Sequence, residues 1–225
     1  MYGHSAPEVL TVNTLLIINS SPRSNSVSRR LTRHFAEEWK AKHPDTRVVE
    51  RDLTANPLPF VTEPWIQASY TPPAQRTPQQ LQALALSDAL IDELMMADVI
   101  VLGVPMHNFS IPAPLKAWFD LVARVGKTFS YSDKGPKGLI ASDKRVVAIV
   151  SRGGAFDEGS ASASSDFQVP YLRHMLRFLG LEGVIVIAAD KQGFGAEVAQ
   201  QSVDRAIRKL SALAEHFPSP TAMAA

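Results

Sequence analysis

Hydroxyl side chains are concentrated between residues 20 and 28, directly after the apolar run from Leu15 to Ile18. The stretch holds five serines and Asn25, which predicts a buried strand, then a polar turn, then a helix. Such a turn directs backbone N–H groups, hydroxyls and the positive end of a helix at one point, the arrangement with which proteins bind phosphate. An ordinary polar loop with a serine N-cap is the alternative.

The lack of glycine in this stretch limits which class of nucleotide it can bind. A G-x-G-x-x-G turn needs glycine so that a pyrophosphate can approach the backbone. Residues 19–28 contain no glycine, which disfavours a dinucleotide Rossmann site. Hydroxyls around a single phosphate fit a mononucleotide, and among redox cofactors this predicts FMN.

Two further segments have residue types suited to a flat ring. Pro105–Phe109 follows a second apolar run, and its Asn108 can both donate and accept hydrogen bonds, as the edge of a flavin requires. Ser151–Gly154 follows a third run and ends in two glycines, whose backbone amides can approach a planar ligand closely. Amides at the pyrimidine end of a flavin would stabilise the charge that develops there on reduction.

Composition excludes several other functions. The chain has 225 residues, 45% of them apolar, and a net charge of +1, so nothing predicts binding to nucleic acid or to an anionic membrane. Cysteine is absent, which removes thiolate nucleophiles, disulfides and iron–sulfur clusters. Any redox chemistry therefore needs a bound cofactor. Histidine spacing predicts no metal site, and a cytoplasmic location is the simplest expectation.

Apolar periodicity predicts strands that alternate with helices. Predicted strands after the first cover residues 46–52, 98–105, 144–150 and 183–189. Predicted helices cover residues 26–42, 113–124 and 169–179, a further helix begins at Thr77, and the last places Ala199 to Ala214 on one face. The helix from Thr77 is expected to bury Ala83, Leu86, Leu90, Leu94 and Ala97.

The segment from Leu53 to Arg76 carries five prolines and three aromatic residues and predicts an irregular excursion. Such a long segment is usually a lid or an interface arm, and a passive surface excursion is the alternative.

The alternation predicts an α/β fold, a flavodoxin-like doubly wound five-stranded parallel sheet with strand order 2-1-3-4-5. We expect one FMN-binding domain over residues 14–217, with a disordered lead-in (1–13) and tail (218–225). In such a sheet the loops after strands one, three and four meet at the carboxyl edge. The three polar segments described above are those loops.

Four segments carry a resemblance to a known family: Pro105–Phe109, Leu115–Gly126, Gly135–Leu139 and Ser151–Gly154. On these the chain resembles the FMN-dependent NADH-azoreductases of the flavodoxin-like NAD(P)H–quinone reductase family, from about residue 14 to residue 217. Some family members have tyrosine in place of His107. The phosphate loop is also about one residue shorter than in some relatives, which leaves its register open by a residue.

The resemblance implies three groups of cofactor-binding residues. They are Ser20, Asn25, Ser26, Val27 and Ser28 at the phosphate, Pro105, Met106, His107, Asn108 and Phe109 beside the isoalloxazine, and Ser151, Arg152, Gly153 and Gly154 at its pyrimidine edge. Asn108, Tyr131 and Phe178 match positions at the substrate. On the residues alone, Tyr131 belongs to a loop or short hairpin and Phe178 to a helix core.

The family is homodimeric, with each flavin near the interface. The resemblance implies a two-electron ping-pong reaction, in which NADH or NADPH gives hydride to flavin N5 and a quinone or azo compound then receives it. No catalytic side chain is needed, and His107 is a candidate proton donor. A flavodoxin-like electron carrier and a flavin-binding regulatory module are the alternatives. The near-neutral charge and the aromatic excursion count against the carrier.

Overall fold

In the computed structural model, which describes residues 14–141 and 143–217, five parallel strands form a central sheet. These five strands are β1 (Thr14–Asn19), β2 (Arg47–Asp52), β3 (Val99–Pro105), β6 (Arg145–Ser151) and β7 (Ile185–Ala189). Two shorter strands, β4 (Phe129–Ser132) and β5 (Gly135–Gly138), pair with each other outside this sheet. The sheet order is β2-β1-β3-β6-β7, which confirms the predicted flavodoxin-like order 2-1-3-4-5. The predicted lead-in and tail lie outside the described residues.

Helices cover both faces of this sheet. They are α1 (Val27–Lys42), α2 (Glu63–Tyr70), α3 (Pro78–Met96), α4 (Ala113–Val122), α5 (Gln168–Leu179) and α6 (Ala196–Glu215). Apolar side chains of α1 and α6 pack with one face of the strands, and those of α3, α4 and α5 pack with the other. The runs in β1, β3 and β6 are apolar without alternation because these strands are buried on both faces.

Helix α3 begins as predicted but buries a different face. The hydroxyl of Thr77 accepts a hydrogen bond from the Gln80 N–H, and the Gln80 side chain accepts one from the Thr77 N–H, which makes a capping box. Ala83 and Leu86 are exposed, so the prediction that they lie in the core is wrong. The buried side chains are Leu84, Ser87, Leu90, Ile91 and Leu94.

The excursion after β2 is not wholly irregular, because α2 forms within it with proline in its first turn. The 3₁₀ turn Pro73–Gln75 follows α2 and leads to α3. The prolines suggested a break throughout the segment, yet proline at the start of a helix removes no hydrogen bond. The prediction of a structureless excursion is therefore wrong for residues 63–70.

Strands β4 and β5 form an antiparallel hairpin that packs closely on the end of α5. A Cβ added at Gly138 would lie 2.1 Å from the backbone nitrogen of Gly180, so only glycine allows this approach. Gly180 ends α5 in the left-handed region with φ 102°.

The register of the sheet brings the ends of β3, β6 and β7 to one level, and β1 ends two residues before it. Asn19 pairs with Gly103, Pro105 pairs with Ser151, and Ser151 pairs with Ala189. The loops that follow β1, β3, β6 and β7 therefore leave from one edge. Among the helices described, none is both long and apolar enough to span a bilayer.

Candidate functional site

A cavity of about 440 Å³ lies at this carboxyl edge, and all three predicted loops contribute to its wall. The loop after β7 contributes as well. The lining residues are Ser21, Arg23, Asn25, Ser26, Val27, Pro105, Met106, His107, Ser151, Arg152, Gly153, Gln192 and Gly193. The volume lies in the range of small-molecule and cofactor sites.

The loop after β1 presents part of the predicted phosphate set. Asn25, Ser26 and Val27 line the cavity, and Ser26 is the N-cap of α1, since its hydroxyl accepts a hydrogen bond from the Arg29 N–H at 3.3 Å. The first turn of a helix leaves backbone N–H groups without intrahelical partners. This loop therefore offers the donors and the positive helix end that an anion requires.

Two predicted phosphate residues lie behind the wall instead. Ser20 is fully buried, and its hydroxyl donates to the carbonyl of Gly103 at 2.8 Å, which extends the pairing of β1 with β3. Ser28 is also fully buried, with its hydroxyl 3.3 Å from that of Ser26. The wall instead contains Ser21 and the exposed Arg23, which the sequence did not single out.

Arg29 fixes the loop after β1 to the end of β2. Its Nε and Nη2 donate to the carbonyl oxygen of Ser21 at 3.0 and 2.6 Å, and Nη2 also lies 2.7 Å from Asp52 Oδ1. The hydrogen bond from Arg29, followed by those from Thr54, holds the pKa of Asp52 well below its usual range. The carboxylate is thus charged at neutral pH and keeps the arginine in place.

The loop after β3 is a tight turn in an unusual conformation. The His107 N–H donates to the Ser110 carbonyl and the Ser110 N–H donates to the His107 carbonyl, both at 3.0 Å. Asn108 and Phe109, between them, have φ 47° and 70°, and a phenylalanine in the left-handed region costs on the order of 1–3 kcal/mol. Such strain is often found at binding sites.

Pro105, Met106 and His107 line the cavity, whereas Asn108 and Phe109 do not. Asn108 lines a neighbouring cavity that also includes His107. The Met106 N–H donates to the Ser151 carbonyl at 2.8 Å, so the loops after β3 and β6 are joined directly.

Arg152 of the loop after β6 lines the cavity but binds carboxylates of the protein. Its Nε and Nη2 lie 2.6 Å from the two oxygens of Asp190, and Nη1 lies 2.7 Å from Asp166 Oδ2. The side-chain exposure is 6% for Arg152, 7% for Asp190 and 13% for Asp166. The guanidinium therefore ties the loop to the end of β7 and to the start of α5.

The backbone of the same loop is oriented by the segment after β7. The carbonyls of Arg152 and Gly153 accept from the N–H groups of Gln192 and Gly193 at 3.1 and 3.0 Å. In a trans peptide the N–H points opposite to the carbonyl, so the N–H groups of Gly153 and Gly154 point away from that segment. Neither has a hydrogen-bond partner within residues 14–141 and 143–217.

Gly153 faces open space at this point. A Cβ added there would meet no atom within 4 Å, and the residue lines the cavity. A Cβ at Gly154 would lie 3.0 Å from the Phe156 ring, and Gly154 does not line the cavity. The first glycine thus presents bare backbone to a ligand, while the second fits against Phe156.

Gln192 and Gly193 complete the wall and were missed from the sequence. They belong to the segment that follows the last predicted strand. Its position after a strand of the same sheet was the signal that placed it at this edge.

Tyr131 and Phe178 line neither of the two cavities described for this edge. Tyr131 lies on the β4–β5 hairpin with 68% of its surface exposed. Phe178 is half-buried on α5 and packs against Phe129 at 4.5 Å between ring centroids. One chain alone therefore does not bring these two rings to the predicted substrate position.

The described residues contain no cluster of three or more histidine or carboxylate side chains that could hold a metal ion. Asp120 pairs with Lys116, one turn earlier on α4, at 2.6 Å. Arg124 is buried and binds Asp88 at 3.0 Å.

Comparisons with known proteins identify the fold family of this chain. A family model described as Flavodoxin-like fold matches residues 13–214. An FMN-dependent NADH:quinone oxidoreductase of Herminiimonas arsenicoxydans is 48% identical over 198 residues, which are 88% of this chain and 94% of the relative.

Solved structures of azoreductases are also similar. One from Bacillus anthracis str. Sterne has a TM-score of 0.83 and 29% identity, and the match covers 91% of this chain and all of that one. An FMN-dependent NADH-azoreductase from Bacillus anthracis str. Ames Ancestor, solved in complex with FMN, has a TM-score of 0.79 and 25% identity over 90% of this chain and 99% of that one.

Proposed function

The chain belongs to the flavodoxin-like fold family whose model matches residues 13–214, and we propose that it is an FMN-dependent oxidoreductase that uses NADH to reduce quinones and azo compounds. The observation that carries this proposal is the cavity where loops after β1, β3 and β6 meet. The names of the relatives, FMN-dependent NADH:quinone oxidoreductase and azoreductase, support the substrate classes.

The residues present fit FMN at both ends of the molecule. Ser21, Asn25 and Ser26 offer donors beside the first turn of α1, and Arg23 lines the same wall, which suits a dianionic phosphate. At the other end, Gly153 presents an N–H without a protein partner next to open space. An acceptor-rich pyrimidine edge requires such a donor.

When bound, FMN would supply hydride exchange at N5, in the ping-pong order that the resemblance implies. The chain would position the ring and stabilise charge on it. The N–H of Gly153 would donate where negative charge develops on reduction. Arg152 would not neutralise that charge alone, because its guanidinium is already bound by Asp166 and Asp190. Pro105 and Met106, which line the cavity, would border the ring and exclude water from it. His107 remains a candidate proton donor.

A second copy of the chain would complete the substrate site. Tyr131 is largely exposed on its hairpin and lines neither cavity, so a substrate meets it only if another chain brings it there. This supports the proposed homodimer with flavin near the interface. Light scattering should give twice the chain mass, and Tyr131→Ser should raise the KM for the acceptor. A monomer with full activity would contradict the dimer.

The visible spectrum of the purified protein tests the function. Flavin bands should appear on adding FMN, bleach under anaerobic NADH and return on adding a quinone. Bands that bleach and return only with a protein electron partner would favour the electron carrier. Bound FMN that NADH never reduces would favour a regulatory module.

A matched pair of variants tests the phosphate assignment. Ser26→Ala and Thr77→Ala each remove a helix N-cap and should each cost about 1 kcal/mol of unfolding free energy. Only Ser26 lines the cavity. Ser26→Ala should therefore weaken FMN binding about five- to tenfold, whereas Thr77→Ala should leave the FMN Kd unchanged. Equal Kd values would contradict the assignment.

A further inference from the structure

A second cavity, of about 470 Å³, adjoins the first and shares His107 with it. Its polar lining side chains are His107, Asn108, Ser110, Lys116 and Tyr171, and Ile111 adds an apolar wall. Within residues 14–141 and 143–217, no protein group hydrogen-bonds to the side chains of His107, Asn108, Ser110 or Tyr171. A concave space with apolar walls and a few polar groups without partners has the character of a ligand site.

Tyr171 is the most constrained of these groups. Its ring packs edge-on against Phe119, at 6.1 Å between centroids and an angle of 81°, on the apolar core under α4 and α5. Burial raises the pKa of the Tyr171 hydroxyl, which Lys116 lowers only in part. The hydroxyl is therefore protonated at neutral pH and can donate. A tyrosine with a packed ring usually has a partner for its hydroxyl.

Lys116 is a charged donor whose charge is offset by a neighbouring carboxylate. Its Nζ lies 2.6 and 2.7 Å from the two oxygens of Asp120, and this bond raises the pKa of the lysine. An ammonium has three hydrogens, so one remains for a ligand. Because Asp120 neutralises the charge, the pair favours an uncharged oxygen acceptor over a carboxylate.

We infer that this second cavity is a carbonyl subsite in which Tyr171 and Lys116 donate to a ring oxygen of the quinone. The inference rests on the proposed function, because the shared wall at His107 places the cavity beside the FMN site. A quinone has the carbonyl that these donors need. An azobenzene without oxygen substituents has none, so Tyr171 acts as a specificity-determining residue that favours quinones.

The test compares two acceptors in two tyrosine variants. Tyr171→Phe should raise the KM for a benzoquinone about fivefold and leave the KM for an unsubstituted azobenzene unchanged. The reason is that only the quinone loses a hydrogen bond. Tyr70→Phe, at an exposed tyrosine on α2, should leave the ratio of the two KM values unchanged. An equal rise for both acceptors would mean that Tyr171 only shapes the flavin site, and it would overturn the inference.

A binding measurement separates this inference from the proposed function. Benzoquinone is titrated calorimetrically into the FMN-loaded protein without NADH. Weaker binding to Tyr171→Phe than to the wild type supports the subsite even if NADH is never oxidised, in which case only the proposed function fails. Equal binding to both proteins, or no binding to the wild type, overturns the subsite whatever the turnover.

Discussion

The loops after β1 and β6 line the same cavity, and each is fixed by an arginine, but the two arginines are placed differently. Arg29 lies on α1, outside its loop, and reaches the Ser21 carbonyl and the single carboxylate of Asp52. Arg152 lies inside its loop and reaches outward to Asp166 and Asp190. Arg29 therefore acts as a clamp that holds the loop after β1 from outside. Arg152 instead buries a side chain of the loop after β6 between two carboxylates.

Exposure separates the two ion clusters further. The Arg29–Asp52 pair has side-chain exposures of 13% and 27%, so water screens it. The Arg152 cluster is more deeply buried, where loss of the cation leaves carboxylates without compensation. We therefore expect the loop after β1 to tolerate substitution and the loop after β6 to be rigid. This difference suits the roles proposed for the two loops. The loop after β1 would bind the phosphate through side chains, and the loop after β6 would bind the ring through its backbone.

Arg152→Met should have the largest effect. It leaves Asp190 and Asp166 buried without a cation and should cost about 3–5 kcal/mol of unfolding free energy, measured by urea denaturation without FMN. Adding Asp190→Asn to this variant should recover part of the loss, since it removes one uncompensated charge. A loss below about 1 kcal/mol would mean that the cluster is not rigid.

Gly153→Val should come next, and it separates backbone from side-chain recognition. A valine there fits the protein alone, because a Cβ meets no atom within 4 Å, but it occupies the space beside the ring. The FMN Kd should rise at least about 100-fold (about 2.7 kcal/mol), while the unfolding midpoint of the FMN-free protein stays unchanged. Ser21→Ala, in the other loop, should raise the Kd only about five- to tenfold. A larger rise in the FMN Kd for Ser21→Ala than for Gly153→Val would contradict the proposed difference between the two loops.

Arg29→Met should have a moderate effect on both stability and binding. Removing the clamp frees the Ser21 carbonyl, so unfolding should cost about 1–2 kcal/mol less and FMN should bind about tenfold more weakly. Arg51→Met is the control, because Arg51 pairs with Glu93 at the same sheet edge but lines neither cavity. If both variants weaken FMN equally, the clamp has no specific role.

The smallest expected effect is on the way the unfolding free energy depends on pH. Asp52 has a lower pKa in the folded chain than its unfolded value of about 3.9, so the unfolded state binds more protons. The stabilisation is complete above about pH 5 and decreases as the pH falls below it. Asp52→Asn should flatten the fall in unfolding free energy between pH 5 and 3. If the slope of the unfolding free energy against pH is unchanged, the Arg29–Asp52 pair does not contribute to the pH dependence of stability.

The sequence predicts the sheet better than the loops. Unbroken apolar runs identify β1, β3 and β6, and once these strands are parallel their following loops must share an edge. The register within the first loop is harder to predict, because Ser20 continues the pairing with Gly103 and its hydroxyl is used there. Nothing local distinguishes Ser20 from Ser21.

Contacts between distant segments explain the other errors. Arg29 meets Asp52, and Arg152 meets Asp190, only because the sheet brings separate strand ends together. Asp120 has possible partners on both sides along its helix, and the choice of Lys116 follows from Arg124 being drawn inward to Asp88. Periodicity finds faces and elements, whereas such pairings depend on the assembled fold.

A crystal structure of the protein loaded with FMN tests the central claim most directly. We expect the phosphate beside Ser21, Asn25 and Ser26 at the start of α1, and the pyrimidine edge within hydrogen-bonding distance of the Gly153 N–H. FMN found away from the cavity, or with its phosphate at the loop after β6, would contradict the account.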